Sequence, residues 1–226
     1  LFVNDPANPN YVFYSDIYEP YTFQSTNFRA IGDASRDIVK GLEVYNNSIL
    51  VTCENSVHLI YMPSTDDTEW LDIRIITPFG SRSPYASFLY ENKIMVAAMQ
   101  NGKFIGFGGI SGTSIDPAAT LLTTTAAGSE LQSDRIEPDM FQVQELFVGN
   151  ISSMVFKNKA YIALTYGDGN TTNNRVYVFD FSKTNLSKEQ AAAWSPITGI
   201  NAAQFTVYDG KLYYIDGRPW NDGDPT

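Results

Sequence analysis

The stretch "YNNSILVTCENSVHLIY" at 45–61 holds the chain's only cysteine and only histidine, Cys53 and His58. A thiolate beside an imidazole makes a nucleophile, and both groups bind metals. Five residues apart on a strand, the two side chains are expected on opposite faces, because the side-chain period is two. A shared metal or a Cys–His nucleophile from these two alone is therefore not expected. A single histidine also removes the multi-histidine metal sites. A Ser-His-Asp triad would need His58 as its base, and no G-x-S-x-G elbow is present, since Gly109-Ile110-Ser111-Gly112 misses that spacing. Cys53 closes the run Ile49-Leu50-Val51-Thr52 and reads as a small buried hydrophobe. His58, between Val57 and Leu59, reads as a structural or surface residue of a strand.

Carboxylate pairs run glycoside hydrolysis, and two clusters qualify by composition. They are Asp66, Asp67 and Glu69 in "STDDTEW", and Asp134, Glu137 and Asp139 in "SDRIEPD". Both fall in predicted loops, where acids are ordinarily solvated. The Ser-x-Asp-x-Gly-x-x-Trp boxes of sialidase-type propellers are absent. For calcium, "YGDGNTTNN" offers Asp168, Asn170, Asn173 and Asn174, and "DGRPWNDGD" offers Asp216, Asn221, Asp222 and Asp224. Neither has EF-hand spacing, and turn chemistry explains both. Asn-x-Ser/Thr triplets begin at Asn46, Asn150, Asn170 and Asn185, and matter only in a secreted eukaryotic protein. No catalytic, cofactor-binding or metal-binding residue is assigned, no cofactor is expected, and the chain is read as a non-enzyme.

These residues have to be positioned by strands. The 226-residue chain is 43% apolar and 14% aromatic, with Tyr and Phe dominating the aromatics, which favours strand over helix. Asp plus Glu number 25 against 15 Lys plus Arg, a net charge of -10 that repels duplex phosphates. One cysteine makes no internal disulfide. No apolar run reaches the roughly 20 residues that span a bilayer. The start at Leu1, with no basic-then-apolar signal, reads as a processed product or part of a longer chain.

One hairpin unit recurs. "GLEVYNNSILVTC" at 41–53, "ASFLYENKIMVAAM" at 86–99, "SSMVFKNKAYIAL" at 152–164 and "AQFTVYDGKLYYI" at 203–215 each read as apolar strand, Asn/Gly turn, apolar strand. The turns fall at Asn47, Asn92, Asn158 and Gly210. Further strands follow as "WLDIRII" at 70–76, "KFIGFG" at 103–108 and "RVYVFDF" at 175–181, and "YVFYSD" at 11–16 precedes. A period of roughly 40–50 residues with three or four short strands is that of a β-propeller blade. The predicted fold class is all-β: an antiparallel propeller with blades of three to four strands, or part of a longer one, as a single domain over 1–226. Its expected core is Leu42, Val44, Ile49, Val51, Met154, Phe156, Ile162, Phe205 and Leu212. Four and a half units do not close a ring, so either further blades lie outside this chain or the terminal strands close the ring together. Two stretches break the period. One is an insertion at about 109–146. The other is "NLSKEQAAAW" at 185–194, where Ser187 and Gln190 suit a capping box and a short surface helix.

"YSDIYEPYTFQ" at 14–24, "IVKGLEVYNNSILVTCENSVHLIY" at 38–61 and "RIITPFGSRSPYASFLYENKIMVAAMQNGKFIGF" at 74–107 together resemble the tail nozzle, or tail stabilisation, protein of tailed bacteriophages. "SDRIEPDM" at 133–140, leading to "KAYIAL" and "RVYVFDF", fits the next blade of that family. The likeness covers most of 11–181 as a pattern of hairpins. It implies a structural virion protein, a β-propeller at the portal–tail end, whose copies ring the DNA channel. The implied partners are other copies in the ring and neighbouring tail or portal-adaptor proteins, with DNA met only in passage and no membrane span. The implied location is the phage tail, after synthesis in the host cytoplasm. The acidic balance suits a channel that DNA must pass without sticking. Within the insertion, Leu121 and Leu122 are expected to anchor on a neighbouring subunit. The alternative reading is a propeller enzyme acting on glycans, or a carbohydrate- or receptor-binding module, carried by Tyr/Trp-rich strands and loop acids.

Overall fold

The computed structural model describes residues 5–16, 18–32, 37–45, 48–75, 80–90, 93–100, 103–111, 136–183 and 193–218. Leu121 and Leu122, most of the insertion, and 185–192 of the expected surface helix at 185–194 lie outside these residues, as do the turns at Asn47 and Asn92. What is described is mostly strand, 53%, with 11% helix, well under the third that ordinary domains average.

Among the described residues, fifteen strands form five antiparallel sheets, and within each sheet every strand pairs with its neighbours in sequence. The first is the hairpin β1 (Tyr11–Phe13) and β2 (Phe28–Ala30). The second is the meander β3 (Val39–Tyr45), β4 (Ser48–Cys53), β5 (Val57–Tyr61) and β6 (Leu71–Ile75). The third is β7 (Ser87–Tyr90), β8 (Lys93–Gln100) and β9 (Lys103–Ser111). The fourth is β10 (Ser152–Phe156), β11 (Lys159–Leu164), β12 (Arg175–Asp180) and β13 (Trp194–Thr198). The fifth is the hairpin β14 (Ala202–Tyr208) and β15 (Lys211–Asp216).

Turn chemistry fixes these pairings. Lys157 and Asn158 both have positive φ between β10 and β11, as do Asp209 and Gly210 between β14 and β15. Two positive-φ residues make the turn whose twist matches a right-handed hairpin, which is why Asn and Gly fall there. The strands expected at 70–76, 103–108 and 175–181 are β6, β9 and β12. Sequence reading overlooked β13, whose Pro196 suits the outer edge that it occupies.

The sheets stack face to face, and their first strands follow one another. β3 lies against β7, β7 against β10, and β10 against β14. Between the third and fourth sheets lie Phe88, Met95 and Phe107 on one side and Ile162, Tyr177 and Trp194 on the other. Between the first and second lie Val12 and Ile31 against Val39, Val51 and Ile60. Between the fourth and fifth lie Ala163 and Val176 against Ala202 and Phe205. A middle strand is consequently covered on both faces, and every residue of β4 is buried.

Of the expected core, Ile49, Val51, Ile162 and Phe205 are buried, while Leu42, Met154, Phe156 and Leu212 are partly so. Val44 is a correction, at 67% exposure. The cluster on its face of β3 takes in Val39 and Leu42 and stops short of Val44, one residue from the strand's end.

Candidate functional site

The turn between β4 and β5 changes the relation of Cys53 to His58. The two lie on different strands of one hairpin, in which Val51 faces His58 and Thr52 faces Val57. Cys53 shares a face with Val51 by the strand period, so it also shares one with His58. The expectation of opposite faces fails because it carried one strand's parity through a turn.

His58 instead joins a buried polar network. Its Nδ1 lies 2.9 Å from Asp72 Oδ1, on β6, and its Nε2 lies 3.2 Å from Ser56 Oγ. Ser56 donates its hydroxyl to Asp37 Oδ1 at 2.6 Å, just before β3 begins. Asp37, Ser56 and His58 are 5%, 2% and 3% exposed. Register explains the reach to Asp72. Arg74 stands directly opposite His58, so Asp72, opposite Ile60, is its diagonal neighbour on the same face.

The order Asp72–His58–Ser56 is that of a nucleophilic triad, yet the hydrogens are placed differently. The short bond commits the Ser56 hydroxyl to Asp37 instead of His58, and the serine oxygen is sealed from solvent. The network ties the segment before β3 to β5 and β6 beneath the N-terminal hairpin. Cys53, fully buried beside it, has its thiol pushed up to about 12, by burial first and then by the charge of Asp37. Such a thiol holds its proton and is a poor nucleophile.

The carboxylates singled out by sequence cap turns and anchor side chains. Asp66 caps the 3-10 turn Asp67–Glu69 by accepting from Thr68 N at 2.9 Å, and Glu69 accepts from Ser64 Oγ at 2.6 Å. Asp67 accepts from the Tyr14 hydroxyl, whose pKa is raised to about 12 by burial and then by that carboxylate. Asp139, at the end of the helical turn α1 (Glu137–Met140), accepts from the buried Tyr177 hydroxyl at 2.7 Å. Burial and Asp139 together raise the Tyr177 phenol. Asp134 and the Glu137 side chain lie outside the described residues.

The Asn-rich loop between β11 and β12 spends its amides on backbone. Asn174 and Asn170 bond the Tyr166 main chain, and Asn173 bridges two carbonyls. Asp168 accepts from Gln144 Nε2 at 3.1 Å. Asp216 holds Arg218 through both carboxylate oxygens, while Asn221, Asp222 and Asp224 lie outside the described residues. Among the described residues no three His, Cys, Asp or Glu side chains are grouped to hold a metal ion, and no helix is long and apolar enough to cross a membrane.

Among the recesses at the surface of the described residues are two of similar size. One, of about 320 Å³, is lined by Phe104, Phe141, Gln142, Glu145 and Asp168. The other, of about 340 Å³, lies where the third, fourth and fifth sheets meet, and is lined by Tyr85, Asn150, Asn173 and Ala203.

The strongest polar geometry thus belongs to contacts between sheets. In "GSRSP", Ser81 N donates to the Cys53 carbonyl at 2.7 Å and Ser83 Oγ to the Ile151 carbonyl at 2.5 Å. Both acceptors are far away in sequence, Cys53 at the end of β4 and Ile151 just before β10, so the stretch is legible in sequence only as a crossing segment. No protein-family model matches this chain, and no curated protein matches it.

Proposed function

We propose that the stacked meander sheets are blades of a β-propeller and that the protein is a structural component of a bacteriophage tail. In this reading its copies ring the DNA channel at the portal–tail end, against neighbouring tail or portal-adaptor proteins. The observation that carries the propeller is the succession β3, β7, β10, β14. Each heads an antiparallel meander or hairpin, and each lies beside the next. The tail assignment rests on the resemblance of 11–61 and 74–107 to the nozzle family. Polar groups spent on turns and sheet junctions suit a scaffold, and a net charge of -10 suits a wall that DNA passes. Sedimentation with electron microscopy of the purified protein tests it. A ring or tube of subunits is expected, and a monomer that hydrolyses oligosaccharides overturns it.

A second reading rests on one observation: Glu145 and Asp168 line the same recess beside Phe141, which is 70% exposed. Two carboxylates and an aromatic wall are the parts of a glycan site. Hydrolysis of an oligosaccharide panel, lost in both Glu145→Gln and Asp168→Asn, would favour it over the tail.

A further inference from the structure

The recess at the junction of the third, fourth and fifth sheets is walled by separate segments that the fold holds in place. Tyr85 comes from the stretch before β7, and Asn150 from the 3-10 turn Glu145–Asn150. Thr172 and Asn173 come from the β11–β12 loop, and Ala203 from β14. Their backbones are fixed by bonds between sheets. Ser153 donates to the Tyr85 carbonyl through its N at 2.7 Å and its Oγ at 3.0 Å. Asn173 holds the Asn150 and Ala202 carbonyls together. Gly217 N, just past β15, donates to the Asn201 carbonyl at 2.6 Å. A cavity built this way is formed in advance of any ligand. At about 340 Å³ it lies within the roughly 300–1,000 Å³ of small-molecule sites.

The backbone groups at this junction are taken up, whereas polar side-chain groups on its wall are not. The Tyr85 and Thr172 hydroxyls have no hydrogen-bond partner among the described residues. Asn150 uses only its amide nitrogen, in a long 3.4 Å bond to the Thr171 carbonyl. Tyr85 leaves 56% of its surface exposed although its main chain is held on both sides of the junction. Gly149, also on the wall, has no positive φ, and a Cβ there would meet only the Arg82 carbonyl at 3.8 Å. Neither backbone conformation nor packing calls for glycine at that position, and the bare backbone keeps the recess open.

We infer that this recess binds a neutral saccharide. Among the described residues lining it there is no Asp, Glu, Lys or Arg, so a charged ligand would lose its water without gaining a counter-charge. An uncharged ligand rich in hydroxyls matches what the wall offers. Two hydroxyls and an amide can both donate and accept, and the Tyr85 ring gives an apolar face to the C–H side of a sugar ring. A purely apolar ligand would instead cover those polar groups and leave them unpaired. With no carboxylate on the wall, the site holds its ligand without cleaving it. The inference goes beyond the tail reading, holds for a ring or a monomer, and is separate from the recess beside Phe141.

The test is saturation-transfer NMR on the full chain, followed by titration calorimetry of each sugar that responds. The probes are glucose, galactose, mannose, N-acetylglucosamine, lactose and maltose, with glucuronate and glucosamine as charged counterparts. At least one neutral sugar should bind with a Kd of about 1 mM or lower, and the charged sugars roughly tenfold more weakly. Tyr85→Ala should weaken binding about tenfold by removing the ring face, and Thr172→Val about threefold or more. Ala203→Leu, which fills the recess from an exposed position, should abolish binding at an unchanged melting temperature. That variant decides the matter even where Tyr85→Ala lowers stability. Phe141→Ala, in the other recess, should leave the affinity as it is. Silence from every neutral sugar at about 10 mM overturns the inference. So does binding that survives Ala203→Leu, binding lost in Phe141→Ala, or equal affinity for the charged sugars.

Discussion

Asn173 Nδ2 donates to the Ala202 carbonyl at 2.9 Å and so joins the loop before β12 to the first residue of β14. The same amide nitrogen donates to the Asn150 carbonyl at 2.7 Å, and its Oδ1 accepts from Thr165 Oγ1 at 3.2 Å. At 3% exposure, the side chain meets its hydrogen-bonding needs on two sheets at once.

Asn173→Ala should therefore destabilise the fold by about 2–4 kcal/mol, since two backbone carbonyls lose a donor together. Asn173→Asp should cost more, because it places an acceptor-only carboxylate against those carbonyls. Denaturant melts of both variants check the order. Equal stability of the aspartate variant and wild type would refute the bridging role.

The network at His58 gives a second prediction. His58→Ala should cost about 2–4 kcal/mol by leaving Ser56 and Asp72 without their shared partner. Ser56→Ala should cost about 1–2 kcal/mol, and a double-mutant cycle with Asp37→Asn should show coupling of about 1 kcal/mol. A serine-reactive phosphonate should leave the folded protein unlabelled. Labelling at Ser56 would show instead that the triad order is a working one.

Why the strands were legible and this network was not follows from where their signals lie. Asn158 and Gly210 advertise their hairpins locally, through the positive φ that their turns require. Ser56, Asp37 and Asp72 meet only once β3, β5 and β6 are in register, so no spacing along the chain announces them. Val44 failed as a core residue for a related reason, since the apolar alternation continues past the point where the neighbouring hairpin stops covering the sheet.

Glu43, on β3, predicts a pH dependence. Its carboxylate accepts from Ser87 Oγ at 3.0 Å across the junction of the second and third sheets, and burial raises its pKa despite that bond. A raised carboxyl holds its proton more firmly folded than unfolded. Its contribution is most favourable in acid and declines as pH climbs from about 4.3, the unfolded glutamate value, through the higher folded value. Glu43→Gln should thus stabilise the protein at neutral pH by about 1 kcal/mol, by removing the buried charge while keeping an acceptor. Urea midpoints between pH 4 and 8 should fall less steeply in the variant. A steeper fall than in wild type would contradict the assignment.

Gly80 carries the last prediction, and it concerns how closely the sheets approach. Its amide donates to the Met99 carbonyl at 3.0 Å and its carbonyl accepts from Met99 N at 2.9 Å, so the segment after β6 is bonded to the end of β8. The next residue, Ser81, is bonded to the Cys53 carbonyl at the end of β4. A Cβ on Gly80 would overlap the backbone carbonyls of Cys53 and Glu54. Backbone cannot rotate aside as a long side chain can, so Gly80→Ala must push the β4–β5 turn away from the crossing segment or break the pairing with Met99. The cost should be about 3 kcal/mol or more, as for other severe overpacking. Gly149→Ala is the matched control, because a Cβ there meets only the Arg82 carbonyl at 3.8 Å, an ordinary contact. Thermal melts of the pair should separate by several degrees, with Gly80→Ala the lower. Indistinguishable melts would mean that the turn after Cys53 yields freely and that the crossing segment does not fix the second sheet to the third.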